Sequence, residues 1–411
     1  MPLPGRLDKH GSPRILFLTT SVLALRYLFA GQVSFLKSSG FEVATATSPE
    51  DGLSLEDASG AYPDNPVPLR RNFSPLRDLI ALAQLTGLMM RLRPHVVHTH
   101  TPKAGLLGMI AAALAGVRIR IYTINGLVLS TRRGFQRLLL RLSEMVACRL
   151  AHRVLCVSPS LRAEVVALGL CPDEKATVLG HGSSHGVNLE RFSPAKRKPE
   201  ARAKVRAAWG MPDRAMVIGF VGRLVRDKGI EVLAEAWHLL AADFANLSLF
   251  LCGGFEPHDP VPRHVVSALQ QDPRVHITGG FVDDMPAVYS AIDICVLPTF
   301  REGFPNVPLE CGAMEIPVVA TRVTGCVDAV VDGETGLLVP PGDPCALAAA
   351  VRRLILDPDL RHRLGRQARA FVASRFSEEH VHRLLVEEYC RLLSSAGLPV
   401  PRPAEHPVEC C

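Results

Sequence analysis

IGFVGRLVRDKGIEVLAEA, residues 218–236, reads as a strand, a loop and the start of a helix. The apolar run ends at Gly222, Arg223 and Lys228 stand in a short loop, and a helical pattern opens near Gly229. The same unit recurs around it. MVIGFVGRL (216–224), LSLFLCGG (247–254), VHITGGFV (275–282), IDICVLPT (292–299), PVVATRV (317–323) and GLLVPPG (336–342) are strand candidates with helical stretches between them. Upstream, RILFLTTSV (14–22), FEVATATS (41–48), HVVHTHT (95–101), IRIYTIN (119–125), RVLCVSPS (153–160) and ATVLGHG (176–182) repeat the rhythm, with helical patterns over 78–93 and 134–151. Strands alternating with helices predict parallel βαβ units, hence an α/β chain of two Rossmann-like, doubly wound halves facing a cleft. Sites in such sheets lie at the carboxyl ends of strands.

The rhythm breaks at LERFSPAKRKPEARAKVRAAWGMPDRA (189–215), where prolines and charges cluster. The expected division is a first domain over 1–190, a linker over 191–212, a second domain over 213–375, a helix over 376–395 returning to the first domain, and a disordered Pro-rich tail over 396–411. A helical tract from about Pro344 to Leu393 is predicted to break near Ser374–Ser377.

At 48% hydrophobic and 21% charged residues, the 411-residue chain has ample material for a core, which excludes wholesale disorder. Residues 1–200 carry 25 Lys/Arg against 14 Asp/Glu, while the remainder carries 21 against 26, so a basic first half faces an acidic second half. That asymmetry suits an anionic surface or substrate at the first half. The eleven cysteines contain no C-x-x-C pair, and Cys410 and Cys411 are adjacent at the tail. Cys156, Cys252 and Cys295 in apolar runs read as small buried residues of a reducing compartment. The opening MPLPGRLDKHGSPR has no apolar h-region, so no signal peptide is expected. The longest apolar stretch, Gly105–Val117, holds three glycines and is too short to span a membrane.

Chemistry concentrates in two stretches. In REGFPNVPLECGAM (301–314), Pro305 and Pro308 put Glu302 in a loop and Glu310 in the helix that follows. Backbone N–H groups at that helix start favour an anion, and the carboxylates can accept hydrogen bonds from sugar hydroxyls. A nucleotide sugar fits both; two solvent-facing glutamates near a helix start is the alternative. Arg223 and Lys228, beside a helix start at a strand's carboxyl end, suit a diphosphate bound without a metal. Arg226 and Asp227 read as surface charges.

Together GFVGRLVRDKG, the Glu-x7-Glu stretch REGFPNVPLE and TGCVDAVVDGETGLLVPPGD resemble a retaining glycosyltransferase of family 4, with the GT-B fold. VHTHTPKAGLLGMIAA, VSPSLRAEVVALGL and VLGHGSSHGVNLERF are similar to the bacterial branch that builds capsule, O-antigen and lipid-linked glycans, and the likeness runs from about Arg14 to Leu393. The resemblance implies that Arg223 and Lys228 bind the donor diphosphate and steady the leaving group, that Glu310 holds the ribose, and that Glu302 contacts the transferred sugar. It implies that Gly222, Gly303, Phe304, Pro305 and Asn306 line the donor pocket, and that Gly279–Asp284, with Phe281 and Val282, face the base. It implies a UDP-sugar donor, no cofactor and no metal ion; no D-x-D stands where a metal-dependent transferase would need one.

Three positions depart from the family pattern. The Gly-Gly loop after the first strand is TTSVLALRYLFAGQ here, with Gly31 expected in its place. A histidine after the fourth strand is Asn125, and the usual Asn-Gly before the linker is His185-Gly186. His98 and His100 share one face of their strand and would both face the cleft. As a pair they admit a zinc reading, although no third ligand of fixed spacing accompanies them. His100, Lys103, Asn125 and Gly31 are the acceptor-side candidates; Lys103 would meet an acceptor pyrophosphate or stand as a helix-start surface lysine.

In TRRGFQRLLLRLSEMVACRLAHR (131–153), Arg133, Arg137 and Arg141 share one helix face while Phe135, Leu138, Leu139, Leu142, Met145 and Val146 fill much of the rest. This suits either peripheral contact with anionic lipid or a helix packed on its own sheet. The expected function is hexosyl or N-acetylhexosaminyl transfer to a polyprenyl-diphosphate-linked glycan or other cell-surface polysaccharide precursor, at the cytoplasmic face of the cell membrane. A non-catalytic nucleotide-sugar-binding scaffold and a GT-B sugar epimerase or phosphorylase are the alternatives. No nucleic-acid module appears.

Overall fold

The computed structural model describes residues 11–48, 65–69 and 74–401. The opening ten residues and the tail from 402 on, with Cys410 and Cys411, lie outside the described residues.

Among the described residues the chain forms two parallel sheets. The first holds β1 (Arg14–Leu18), β2 (Glu42–Thr47), β3 (Asn65–Pro66), β4 (Val96–His100), β5 (Ile119–Ile124), β6 (Arg153–Cys156) and β7 (Ala176–Thr177), in the order β3-β2-β1-β4-β5-β6-β7. The second holds β8 (Met216–Val221), β9 (Leu247–Cys252), β10 (Val275–Ile277), β11 (Ile294–Leu297), β12 (Val318–Thr321) and β13 (Gly336–Val339), in the order β10-β9-β8-β11-β12-β13. This is the GT-B arrangement of two Rossmann-like units. Strand order reverses between β1 and β4, and again between β8 and β11, and sites in such sheets lie at the carboxyl ends of the strands at a reversal. The two loops read above as chemical follow β8 and β11, on either side of the second reversal.

The strands are shorter than their apolar runs. β1 ends at Leu18, and Val22–Ala24 is already helical because the Ser21 hydroxyl accepts from the Ala24 N–H. A π-helical turn over Leu25–Phe29 leads straight into the helix Ala30–Ser38. Gly31 therefore lies in a helix, not in a loop after the first strand. A Cβ there would sit 2.2 Å from Glu378 Oε1, so the glycine makes room for the C-terminal helix.

The C-terminal tract has one break more than expected. It divides into Pro344–Leu356, Pro358–Arg375 and Glu378–Ser395. Pro358 cannot continue the first helix, and the Asp357 side chain caps the second through Leu360 N–H. The last helix crosses to the first sheet and packs on Ala30–Ser38. Leu385, Tyr389 and Leu393 join Ile15, Phe17 and Phe29 in one buried cluster. Two backbone bonds steady the crossing, Val187 N–H to Phe376 O at 2.8 Å and Glu378 N–H to Val187 O at 2.9 Å. Cys156, Cys252 and Cys295 are buried.

His98 and His100 do share a face of β4, but the C-terminal helix covers that face and each is only 1% exposed. His98 hydrogen-bonds the Tyr389 hydroxyl through Nδ1 and the Thr123 hydroxyl through Nε2, the latter at 2.6 Å. His100 lies on Phe17, with ring centroids 4.3 Å apart, and neither of its ring nitrogens has a protein partner. Both line a cavity of about 30 Å³ with Gln32, Ser183 and Ser184, room for a water molecule or two. Loss of water holds His98 down to about 3, and His185 and His382 to about 4.

These histidines are neutral in the folded chain, and the unfolded chain gains protons first as pH falls below their ordinary 6.5. The stabilising contribution of these histidines should therefore decline as pH falls from 6.5 towards 4. Tyr389→Phe, which strips His98 Nδ1 of its partner, should cost about 1–3 kcal/mol in urea unfolding at pH 7.5. An unchanged unfolding midpoint would show that the Tyr389–His98 bond does not anchor the C-terminal helix.

Candidate functional site

The site is built where the loops after β8 and β11 meet. Gly229 turns the chain with φ 73°, and a Cβ there would stand 2.0 Å from the Pro298 carbonyl. Only glycine lets the first loop press this closely on the second. Asp227 then binds the two together. Its carbonyl accepts from Phe300 N–H at 2.9 Å and the Thr299 hydroxyl at 3.1 Å, and its carboxylate pairs with Arg301 at 2.9 Å. The same carboxylate accepts from Thr131 of the first half at 3.4 Å, and Asp227 N–H donates to Asp259 at 2.8 Å. Asp227 is thus a bracket between loops and not a surface charge. Arg226 is 61% exposed and pairs with Glu231.

This bracket brings Lys228 and Glu302 into a direct ion pair, with side chains 20% and 12% exposed. Arg223 stands outward at 54% exposure and pairs with Glu256 at 3.0 Å. Glu310, on the helix Asn306–Ala313 that follows the Glu302 loop, accepts a hydrogen bond from the buried Tyr289 hydroxyl. Burial pushes the Glu310 carboxyl up to about 7, against the opposing pull of the Tyr289 hydrogen bond and the Arg191 charge. Asn306 Oδ1 is buried without a protein partner at the start of the same helix.

The first half reaches this loop through its backbone. A Cβ on Gly303 would lie 2.0 Å from the Asn125 carbonyl, so Asn125 stands directly against the Glu302–Glu310 segment. Phe304 turns inward, 9% exposed, with its ring 5.2 Å from Phe376, and Gly303 and Pro305 on either side of it are buried too. At the far end, exposed Phe281 meets Tyr27 of the first half, ring centroids 4.5 Å apart, and the Tyr27 hydroxyl donates to Asp283 at 3.0 Å. Tyr27 is carried by the π-helical turn. Val282 is half-buried beside this contact, and Gly222 ends β8 with φ 143°.

Two acceptor-side candidates have other surroundings. Lys103 pairs with Asp78 at 2.7 Å and is 15% exposed, which makes it neither a bare surface lysine nor an open cation. His100 is sealed beneath the C-terminal helix. Among the described residues no group of three or more His, Cys, Asp or Glu could hold a metal ion. Tyr289, Asp227, Glu256 and Tyr27 carry no spacing signal in the sequence, and their parts in the site come from contacts between distant elements.

Glu310 keeps its proton in the folded chain to about pH 7, against an ordinary 4.5. The unfolded chain ionises first, so this group lowers stability progressively between pH 4.5 and about 7 and not further above it. Tyr289→Phe removes the lowering hydrogen bond and should move Glu310 to a still higher pH. The readout is a carboxyl C=O stretch in infrared titration that Glu310→Gln abolishes. An unmoved midpoint would detach Tyr289 from Glu310.

Comparison with known proteins adds two family matches. Residues 215–357 match the family described as "Glycosyl transferases group 1", and residues 32–191 match "Glycosyltransferase Family 4". The capsular polysaccharide biosynthesis glycosyltransferase CapM of Staphylococcus aureus is 34% identical over 369 residues, covering 90% of this chain and 95% of that one. The Escherichia coli UDP-Gal:alpha-D-GlcNAc-diphosphoundecaprenol alpha-1,3-galactosyltransferase is 28% identical over 292 residues, covering 70% and 73%. Among solved structures, Anabaena HepE in complex with UDP-glucose superposes with a TM-score of 0.76 at 21% identity, covering 93% of this chain and 99% of that one.

Proposed function

The chain belongs to glycosyltransferase family 4, a GT-B transferase enzyme, and from that premise we propose that it moves a hexose or N-acetylhexosamine from a UDP-sugar with retention and without a metal ion. The acceptor in this reading is a polyprenyl-diphosphate-linked glycan or another cell-surface polysaccharide precursor. The Escherichia coli relative, named for a UDP-sugar donor and a diphosphoundecaprenol-linked acceptor, supports both choices.

One observation carries the proposal: Lys228 and Glu302 pair across the β8/β11 reversal, and Glu310 stands on the helix that follows the Glu302 loop, bonded to Tyr289. An arriving diphosphate offers Lys228 more negative charge than one carboxylate does. It displaces Glu302, which turns to the hydroxyls of the transferred sugar. Arg223 swings from the exposed Glu256 to the same diphosphate. Glu310 accepts from the ribose hydroxyls, and the backbone of Gly303–Asn306 lines the sugar. When the bond from C1 to the β-phosphate oxygen breaks, its electrons pass to that oxygen, and the two cations hold the new charge. The oxygen then takes the proton of the acceptor hydroxyl, and the acceptor oxygen bonds to C1 on the face the phosphate leaves. Asn125, against Gly303, hydrogen-bonds a sugar hydroxyl and is no base.

The acceptor's lipid suits the first half. In the helix Gly134–Leu150, Phe135, Leu138, Leu142, Met145 and Val146 are exposed beside the exposed Arg133, Arg137 and Arg141. Leu76, Leu79 and Ile80 are also exposed, at the start of Pro75–Leu92. Apolar side chains ringed by arginine fit the headgroup region of an anionic membrane. No helix among the described residues is long and apolar enough to cross a membrane.

Lys228→Ala and Glu302→Ala should each lower kcat by about 10²–10³ while the fold survives. Wild-type turnover in either would refute the assignment. The protein should also sediment with phosphatidylglycerol vesicles at low salt and leave them at high salt. Equal sedimentation with neutral phosphatidylcholine vesicles would sink the electrostatic part.

A further inference from the structure

The stretch VSPS, read above as the end of a strand and as part of the family resemblance, has no part in the chemistry just described. It forms the amino end of the helix Pro159–Ala167 in the first half, and its hydroxyls are spent on the second half. Ser158 caps its own helix by accepting from Leu161 N–H at 3.1 Å, and the same hydroxyl donates to the Gly303 carbonyl at 2.7 Å, buried. Ser160 N–H donates to Asp328 Oδ2 at 3.1 Å, and the Ser160 hydroxyl bonds that carboxylate too. Gly325 N–H donates to the Ser160 hydroxyl at 2.8 Å. One turn on, Glu164 accepts from Thr324 at 2.8 Å and from Ser130 at 2.6 Å.

Asp328 therefore caps, from the other half, a helix end whose free N–H groups and dipole favour a carboxylate. The two loops so held are also in contact with each other. A Cβ on Gly325 would lie 2.3 Å from the Gly303 carbonyl. Gly303 follows Glu302 directly, so whatever fixes its carbonyl fixes the loop that carries the proposed sugar-contacting carboxylate. When the halves part, Gly303 loses Ser158, and Asp328 loses the helix end.

We infer that Ser158, Ser160 and Asp328 form an interdomain latch that sets the Glu302 loop only when the cleft is closed. These are positioning residues that touch no reacting atom, and the inference rests on the donor reading given above. Opening of the cleft then loosens the loop and lets the spent nucleotide go.

The test uses the full chain with Ser160→Ala, Asp328→Ala and Ser160→Thr. In the two alanine variants kcat should fall at least about tenfold, because a small misplacement near the reacting atoms is costly, while UDP affinity stays within about threefold of wild type. Ser160→Thr, which keeps the hydroxyl, should restore most of the rate. Small-angle X-ray scattering with UDP should show a larger radius of gyration in the alanine variants. If Ser160→Ala and Asp328→Ala both keep the wild-type kcat and radius of gyration, the latch is refuted. If both variants lose UDP binding together with the rate, the residues serve folding and not loop position, which also overturns the inference. A wild-type protein without transfer would count against the donor reading instead, and scattering would still decide the latch.

Discussion

The Lys228–Glu302 ion pair is the constraint around which the second half is arranged. Each side chain is largely withdrawn from water, and either charge alone would be costly there. The loops after β8 and β11 must therefore stay within reach of each other. Asp227, with its bonds to Phe300, Thr299 and Arg301, and Gly229, pressed on Pro298, are the means. A pair held this way is stable when empty and can exchange one partner for a diphosphate. In the proposed reaction the binding cation and the sugar-facing carboxylate begin as each other's counter-ion.

The first half completes the cleft mostly with backbone and hydroxyls. The Asn125 carbonyl and the Ser158 hydroxyl meet Gly303, and Tyr27 meets Phe281 and Asp283. The C-terminal helix joins the two halves. It leaves the second half at Phe376, bonds Val187 in passing, and buries Tyr389 against His98. Glu378, at the start of that helix, takes the Asn188 side chain at 3.0 Å and fills the space that Gly31 leaves. A glycine in one helix thus serves the docking of another.

The fold was legible because buried parallel strands announce themselves as short apolar runs, and the helices between them show their own period. The two chemical loops were legible for the same reason, since the end of each run marks the carboxyl edge. What could not be read was pairing at a distance. His98 and Tyr389 are separated by 291 positions, and no local pattern in HVVHTHT tells which helix will cover it. Asp227 looked like a surface charge because Arg301 and Thr131, its partners, lie 74 and 96 positions away. Gly31 is expected in a loop only because the family resemblance puts a Gly-Gly loop after the first strand, yet here it lies in a helix that packs closely on another. The break at Asp357 is masked because the apolar spacing continues through it, although Asp-Pro is a helix-start signal.

The most direct measurement is calorimetric titration of UDP into wild type, Lys228→Ala and Arg226→Ala, with and without a chelator. The account predicts the same affinity in chelator, a loss of about 10- to 100-fold in Lys228→Ala, as for removal of one charged hydrogen-bonding partner, and little change in the exposed Arg226→Ala. Binding that vanishes with chelator, or that Lys228→Ala leaves intact, would contradict a diphosphate site made of side-chain cations.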